Sequence, residues 1–282
     1  MLNIAAPLSV DPLAGLPQKE RRGSRARCIL FTNGSDEAVA NQLSRLAWPF
    51  ATIDSNRHRW MPRGIAHPKE AKLGDALSFL SDEHREAVTG WWLAVRKHAN
   101  TPNWDIASTA TIDGVEGLML VEAKAHSKEI KTDGKPAGRK SAGTKADTSS
   151  VGTANSDNSA RNHEHIATAC REASTALNGV LPGWALTIES HYQLCNRFAW
   201  TWKLASLGIP VVLVYLGFLH AEEMRDQGLP LDSAENWDRL VRDHSHGIVP
   251  PSAWDRVISI QGTPVRAVIR SREVELPDAT AS

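Results

Sequence analysis

Trp104-Asp105-Ile106-Ala107-Ser108-Thr109-Ala110-Thr111-Ile112-Asp113-Gly114-Val115-Glu116-Gly117-Leu118-Met119-Leu120-Val121-Glu122-Ala123-Lys124-Ala125 is the stretch on which the fold turns. Two β-rich runs, Trp104 to Ile112 and Leu118 to Ala125, flank Asp-Gly, and Asp-Gly between apolar runs marks a hairpin. Glu122 and Lys124 stand two apart on one strand, so they share a face while Ala123 points the other way. If the turn is Asp113-Gly114 alone, Asp105 falls opposite Glu122; if it has four residues, Asp105 falls opposite Lys124. Either even register puts Asp105 on the face of Glu122 and Lys124. The opposite face then carries Trp104, Ile106, Ala110 and Ile112 against Met119, Val121, Ala123 and Ala125, which is a core face. The competing reading of 118–130 is an amphipathic helix with Glu122 and His126 as an i,i+4 pair. The Asp-Gly turn and the Thr and Ile residues before it favour strands.

Outward from the hairpin, the pattern predicts a flexible basic tail over 1–26, a strand at Cys28–Thr32 closed by Asn33-Gly34-Ser35, and a helix from Asp36 to Leu46. Two more helices are expected over Lys69–Leu80 and Asp82–His98, the second capped by Ser81 and buried through Trp91, Trp92 and Val95. After the hairpin, 127–161 is Gly-, Ser-, Thr- and Lys-rich with almost no large apolar residue, the composition of a disordered insert. Helices follow at Asn162–Leu177 and His191–Leu207, then an all-apolar strand at Pro210–Phe218, a helix at Ser233–His244, an edge strand at Thr263–Ile269 and a tail over 271–282. The expected architecture is one α/β domain, 27–126 with 162–270, built on a mixed central sheet flanked by helices.

Composition bounds the function. Thirty-two Lys+Arg against 32 Asp+Glu leave the 282-residue chain formally neutral, so bulk basicity does not advertise nucleic acid, although a neutral protein can hold a local basic cleft. Cys28, Cys170 and Cys195 form no C-x-x-C pair, against a zinc knuckle or disulfide framework and in favour of a reducing cytoplasm. The N-terminus lacks the basic and apolar regions of a signal peptide, and the longest apolar run, Ile209 to Leu219, is about half a membrane span, so no membrane association is expected. No phosphate-binding glycine loop, dinucleotide fingerprint or Gly-x-Ser-x-Gly elbow is present. His163-Glu164-His165 and His244-Ser245-His246 lack zincin spacing and read as solvated, and the tryptophans read mainly as packing.

Two carboxylates held about 5 Å apart across a hairpin repel, and a divalent cation is the usual resolution. Hard oxygen ligands without cysteine point to Mg2+ or Mn2+, and a lysine beside the metal suits phosphodiester hydrolysis. Asn103-Trp104-Asp105 and Leu120-Val121-Glu122-Ala123-Lys124 resemble the PD-(D/E)XK, or restriction-endonuclease-like, nuclease superfamily. Trp104 stands where the family has its loosely kept Pro. The resemblance implies that Asp105 and Glu122 hold the metal and Lys124 assists the attacking water. It further implies a glutamate from a preceding helix, Glu86 or alternatively Glu83, and substrate contacts from Gln193 and Arg197, four apart on one helical face, with His126 beside them. The implied function is a Mg2+/Mn2+-dependent nuclease, endo or exo, acting on DNA ahead of RNA, with homodimer formation left open. Two alternatives stand beside it: a catalytically inactive module of the same fold that binds nucleic acid or protein, and an interaction protein whose insert recruits a partner.

Overall fold

A computed structural model describes residues 12–75, 79–97, 99–135 and 150–277, with side chains 150–156 left aside. Helices α1 (Gly23–Phe31) and α2 (Asp36–Ala47) come first, followed by the short strands β1 (Trp60–Met61) and β2 (Ala71–Lys72) and helix α3 (Asp82–Trp92). Next are β3 (Asn103–Trp104), β4 (Ile106–Ile112), β5 (Val115–Lys124), helices α4 (Ser150–Asn178) and α5 (Tyr192–Ser206), and β6 (Val211–Leu219). Helix α6 (Ala234–Ser245) and the strands β7 (Val257–Ile260) and β8 (Thr263–Glu273) complete the chain. The six-stranded sheet runs β1-β4-β5-β6-β8-β7, and β2 pairs with β3 in a separate ribbon. The β5–β6 and β6–β8 pairs are parallel and the others antiparallel, so the sheet is mixed, with helices on both faces.

The hairpin closes with the two-residue turn. Ile112 pairs with Val115 and Ile106 with Val121, and Asp113 and Gly114 take φ of 50° and 82°, the left-handed pair that a twist-matched turn needs. One face of the hairpin packs Ile106, Ala110, Ile112, Met119, Val121 and Ala123 against α1 and α2. Trp104 departs from that expectation: β3 swings to β2, and the indole joins the opposite core with Leu118, Leu120, α3, α4 and α5. The face that carries the candidate site is therefore covered by helices as well.

Several expectations need correction. Cys28–Thr32 is helical, the last turns of α1, which begins where Gly23 takes φ of 68° and donates its N–H to Glu223 at 3.1 Å. A five-residue apolar run does not distinguish a strand from a buried helix. The basic residues beside it are docked: Arg22 pairs with Asp226, and Arg27, buried, pairs with Glu223, so the described part of 1–26 is no tail. Lys69–Leu80 is not a helix in its described part; β2 and turns occupy it, because Gly74 runs so close to Thr101 that a Cβ would lie 2.6 Å from Thr101 Cγ2. Helix α3 keeps its Ser81 cap, accepting from the His84 N–H at 3.2 Å, but stops at Trp92, since Asn162 fixes both Val95 N–H and Val95 C=O at 2.8 Å; His98 lies outside the described residues.

The insert is shorter than expected. Ser127–Glu129 forms a 3-10 turn, residues to Lys135 are placed, and α4 starts at Ser150; the rest of the expected insert, 136–149, lies outside the described residues. Strand β8 is interior and runs to Glu273, with β7 as the edge, joined to it through Gln261-Gly262 at φ of 51° and 87°. Strand β8 takes 271–273, and Leu276 packs against the N-terminal cluster, so the described part of 271–282 is not a free tail.

Gly217, in the middle of β6, shows how closely α6 sits on the sheet. A Cβ there would lie 2.6 Å from the buried Trp237 ring, whose Nε1 donates to the Tyr215 carbonyl at 3.2 Å. Gly217→Ala is expected to cost about 1–3 kcal/mol by overpacking, measured by denaturant unfolding; an unchanged midpoint would contradict the packing of α6. Among the described residues no helix is long and apolar enough to cross a membrane.

Candidate active site

The two-residue turn pairs Ile106 with Val121, which brings the next residue, Asp105, level with Glu122, in the first of the two registers read from the sequence. The strand bends at Asp105, between β3 and β4, and the Asp105 carboxylate accepts the Ala123 N–H at 2.7 Å, doing for the end of β5 what a ladder carbonyl does further along. Glu122 and Lys124 project from β5 toward α5 and are 1% and 8% exposed. Lys124 Nζ donates to one Glu122 oxygen and Arg197 Nε to the other, at 2.6 Å for the arginine. Arg197, 5% exposed, is held by the Asn196 side chain at 2.9 Å and the Asn103 carbonyl at 2.7 Å, with its guanidinium 4.5 Å from the centre of the Trp104 ring.

Two acids and two cations thus share a nearly dry volume, and their titration is divided between them. Burial and the neighbouring Glu122 charge push the Asp105 carboxyl up to about 7, against the pull of Lys124 and the Ala123 N–H. For Glu122, burial acts upward too, but Arg197 and Lys124 outweigh it and hold the carboxylate below its ordinary range. Burial lowers Lys124 and Arg197, and the Glu122 and Asp105 charges more than restore both. Glu122 is therefore the permanent anion of the pair and Asp105 its proton-accepting member.

Arg197 is no solvated helix face but the central cation of the cluster. Gln193, one helical turn before it, faces the same cleft. His126 is buried two residues past the end of β5, its backbone N–H bonded to the Glu129 carboxylate at 3.4 Å; it bridges to Pro230 and is not among the residues lining the cleft. Glu86 does not join the site: its side chain is 60% exposed and bonded to Arg96, on the solvent side of α3, while the alternative Glu83 is exposed as well. Helix α1, not α3, lies against the hairpin's other face.

Three groups escaped sequence reading. Glu70, just before β2, accepts from Asn103 Nδ2 at 2.8 Å and adds to the upward push on Asp105. Tyr215 on β6 has a buried hydroxyl, without a partner among the described residues, beside the small space that Glu122 also lines, and burial followed by the Glu122 charge drives its pKa far up. His244, read as solvated, lies against His191 with ring centres 4.8 Å apart and planes tilted by 49°, beside the same space, and burial with the His191 and Lys124 charges pulls it down to about 4. None carries a spacing signal, because each arrives from a separate element. No family model, curated protein or solved structure matches this chain.

Proposed function

We propose that the chain is a metal-dependent nuclease of the PD-(D/E)XK kind, hydrolysing phosphodiester bonds, DNA ahead of RNA. The observation that carries the reading is the hairpin's geometry: with Ile106 paired to Val121, Asp105 comes level with Glu122 and accepts the Ala123 N–H, and Lys124, two residues on from Glu122, lines a cleft. Asp105 and Glu122 would hold the ion. Among the described residues no group of three or more His, Cys, Asp or Glu side chains comes together, which does not suit zinc. Mg2+ is commonly held by one or two carboxylates with water and substrate phosphate, so this donor set fits Mg2+ or Mn2+. The bound ion would act as a Lewis acid and lower the pKa of its water. Lys124, charged and facing the cleft, would stabilise charge developing on the phosphate. Arg197 would position Glu122, fixing one carboxylate oxygen while bracing itself on the Asn103 carbonyl.

One observation favours the second reading, an inactive binding module. Both Glu122 oxygens already meet cations, so two acids and two bases balance without a metal. The deciding experiment is cleavage of linear and circular DNA, single-stranded DNA and RNA by wild type and Lys124→Ala with Mg2+, Mn2+ or EDTA. Wild-type cleavage that disappears with EDTA and in the variant is the expected result. Equal metal-dependent activity in Lys124→Ala would sink the assignment, and no cleavage of any substrate would favour the binding module.

A further inference from the structure

The cleft above Lys124 has one wall that the hairpin and helices do not supply. Residues 130–135 run as a strap across its mouth, fixed at the far end by pairing between Asp133 and Ser190 and by Lys135 N–H donating to the Ile188 carbonyl at 2.6 Å. His191 and Tyr192 N–H groups donate back to the Thr132 and Asp133 carbonyls at 2.9 and 3.1 Å. A Cβ on Gly134 would collide with the Glu189 carbonyl, so backbone meets backbone there. The strap is thus a built element rather than a passing loop, and it carries Lys131 and Lys135 into the lining of the cleft.

The lining is cationic. Lys124, Arg197, Lys131 and Lys135 face it against the two acids Glu129 and Asp133, and Glu129 is occupied by the Ala125 and His126 N–H groups and by Ser24. Among the described residues Lys131 and Lys135 have no carboxylate partner; Lys135 rests over the Tyr192 ring at 4.9 Å, and burial lowers its pKa. Unpaired ammonium groups beside a buried Lys124 and Arg197 are arranged for an anion with several charges, such as a phosphate backbone.

Size selects the form of that backbone. The cleft holds about 590 Å3, the volume of a cube of roughly 8 Å edge. A B-form duplex, whose major groove alone is about 12 Å wide, does not enter such a space, whereas Lys124 in its lining is almost wholly withdrawn from the surface. A phosphodiester reaches Lys124 through this cleft only as one strand threaded in. We infer, building on the nuclease reading, that the substrate is a single strand or a frayed end, its phosphates gripped by Lys131 and Lys135 of the strap.

The test is fluorescence anisotropy with the full chain in EDTA, using one labelled oligonucleotide as single strand and as blunt duplex, in DNA and RNA versions. The single strand is expected to bind about tenfold or more tightly than the duplex. In Lys131→Ala/Lys135→Ala the affinity should fall roughly tenfold and the slope of log affinity against log salt should shrink by about 1.4, two phosphate contacts on a single strand. Lys131→Glu, at an exposed position away from the Tyr192 contact, should act in the same direction with an unchanged melting temperature. Duplex binding as tight as single-strand binding, or unchanged affinity and salt slope in both variants, would overturn the inference. Because EDTA separates binding from cleavage, the two readings fail separately: single-strand binding without cleavage under any metal removes the nuclease and leaves the strap, while normal cleavage by the strap variants removes only the strap. No binding to either nucleic acid removes the inference outright.

Discussion

Glu122→Ala is expected to lower the unfolding free energy by about 3–5 kcal/mol, because it strands two buried cations at once. Lys124 and Arg197 each donate to a different Glu122 oxygen, and neither has another carboxylate bonded to it among the described residues. Asp105 is the remaining acid, yet it is bound to the Ala123 N–H and carries a pKa near neutrality, so it compensates only in part. Lys124→Ala should behave differently: Glu122 keeps Arg197, the deletion removes a charge without orphaning its partner, and the fold should survive. Urea unfolding of the two variants side by side measures the contrast. A loss below about 1 kcal/mol for Glu122→Ala would mean that water already reaches the cluster and that the buried pair contributes no more than a surface one.

The contrast also shows which parts of the site are written locally. Asp113-Gly114 fixes the register because two left-handed residues in succession are cheap for Asp-Gly and for few other pairs, and with the register comes the Asp105–Glu122 apposition. Val211–Leu219 and Tyr192–Ser206 are legible for the same reason: an all-apolar run and a helical period are properties of one segment. Cys28–Phe31 is not, since its apolar run is compatible with either structure, and the choice is made by Arg27 and Gly23 reaching Glu223 nearly two hundred residues away. Glu86 was misassigned because helical spacing says which residues share a face but not which face meets the site; the Glu86–Arg96 pair settles that. Glu70, Tyr215, His244 and the strap lysines come to the cleft from separate elements, and only tertiary packing assembles them. The insert was read by composition alone, which underestimates a segment whose backbone is tied to Ile188, Ser190 and Tyr192.

Asp105→Asn should make stability rise more steeply with pH between about pH 4 and pH 6.5. The Asp105 carboxyl sits at about 7, above the roughly 3.9 of an unfolded aspartate, so the native state holds the extra proton between those values. Its contribution is fully favourable at low pH and is lost as pH rises toward 7, by about 4 kcal/mol at most. His244 has the opposite sign. Lowered to about 4, it is neutral in the native state while the unfolded imidazole charges below about 6.5, so its contribution is present at neutral pH and lost as pH falls toward 4. The two slopes oppose each other over this range in the wild type, and asparagine removes the one that falls with pH. Urea unfolding at a series of pH values reads the difference; a variant that keeps the wild-type slope would place Asp105 at an ordinary carboxylate pKa. The same proton links stability to the proposed chemistry, because a carboxyl must be ionised to hold a cation. With Mg2+ well below saturation, cleavage should therefore fall about tenfold per pH unit below 7, and excess Mg2+ should shift that fall to lower pH; a pH-independent rate down to pH 5 at sub-saturating Mg2+ would separate Asp105 from the metal.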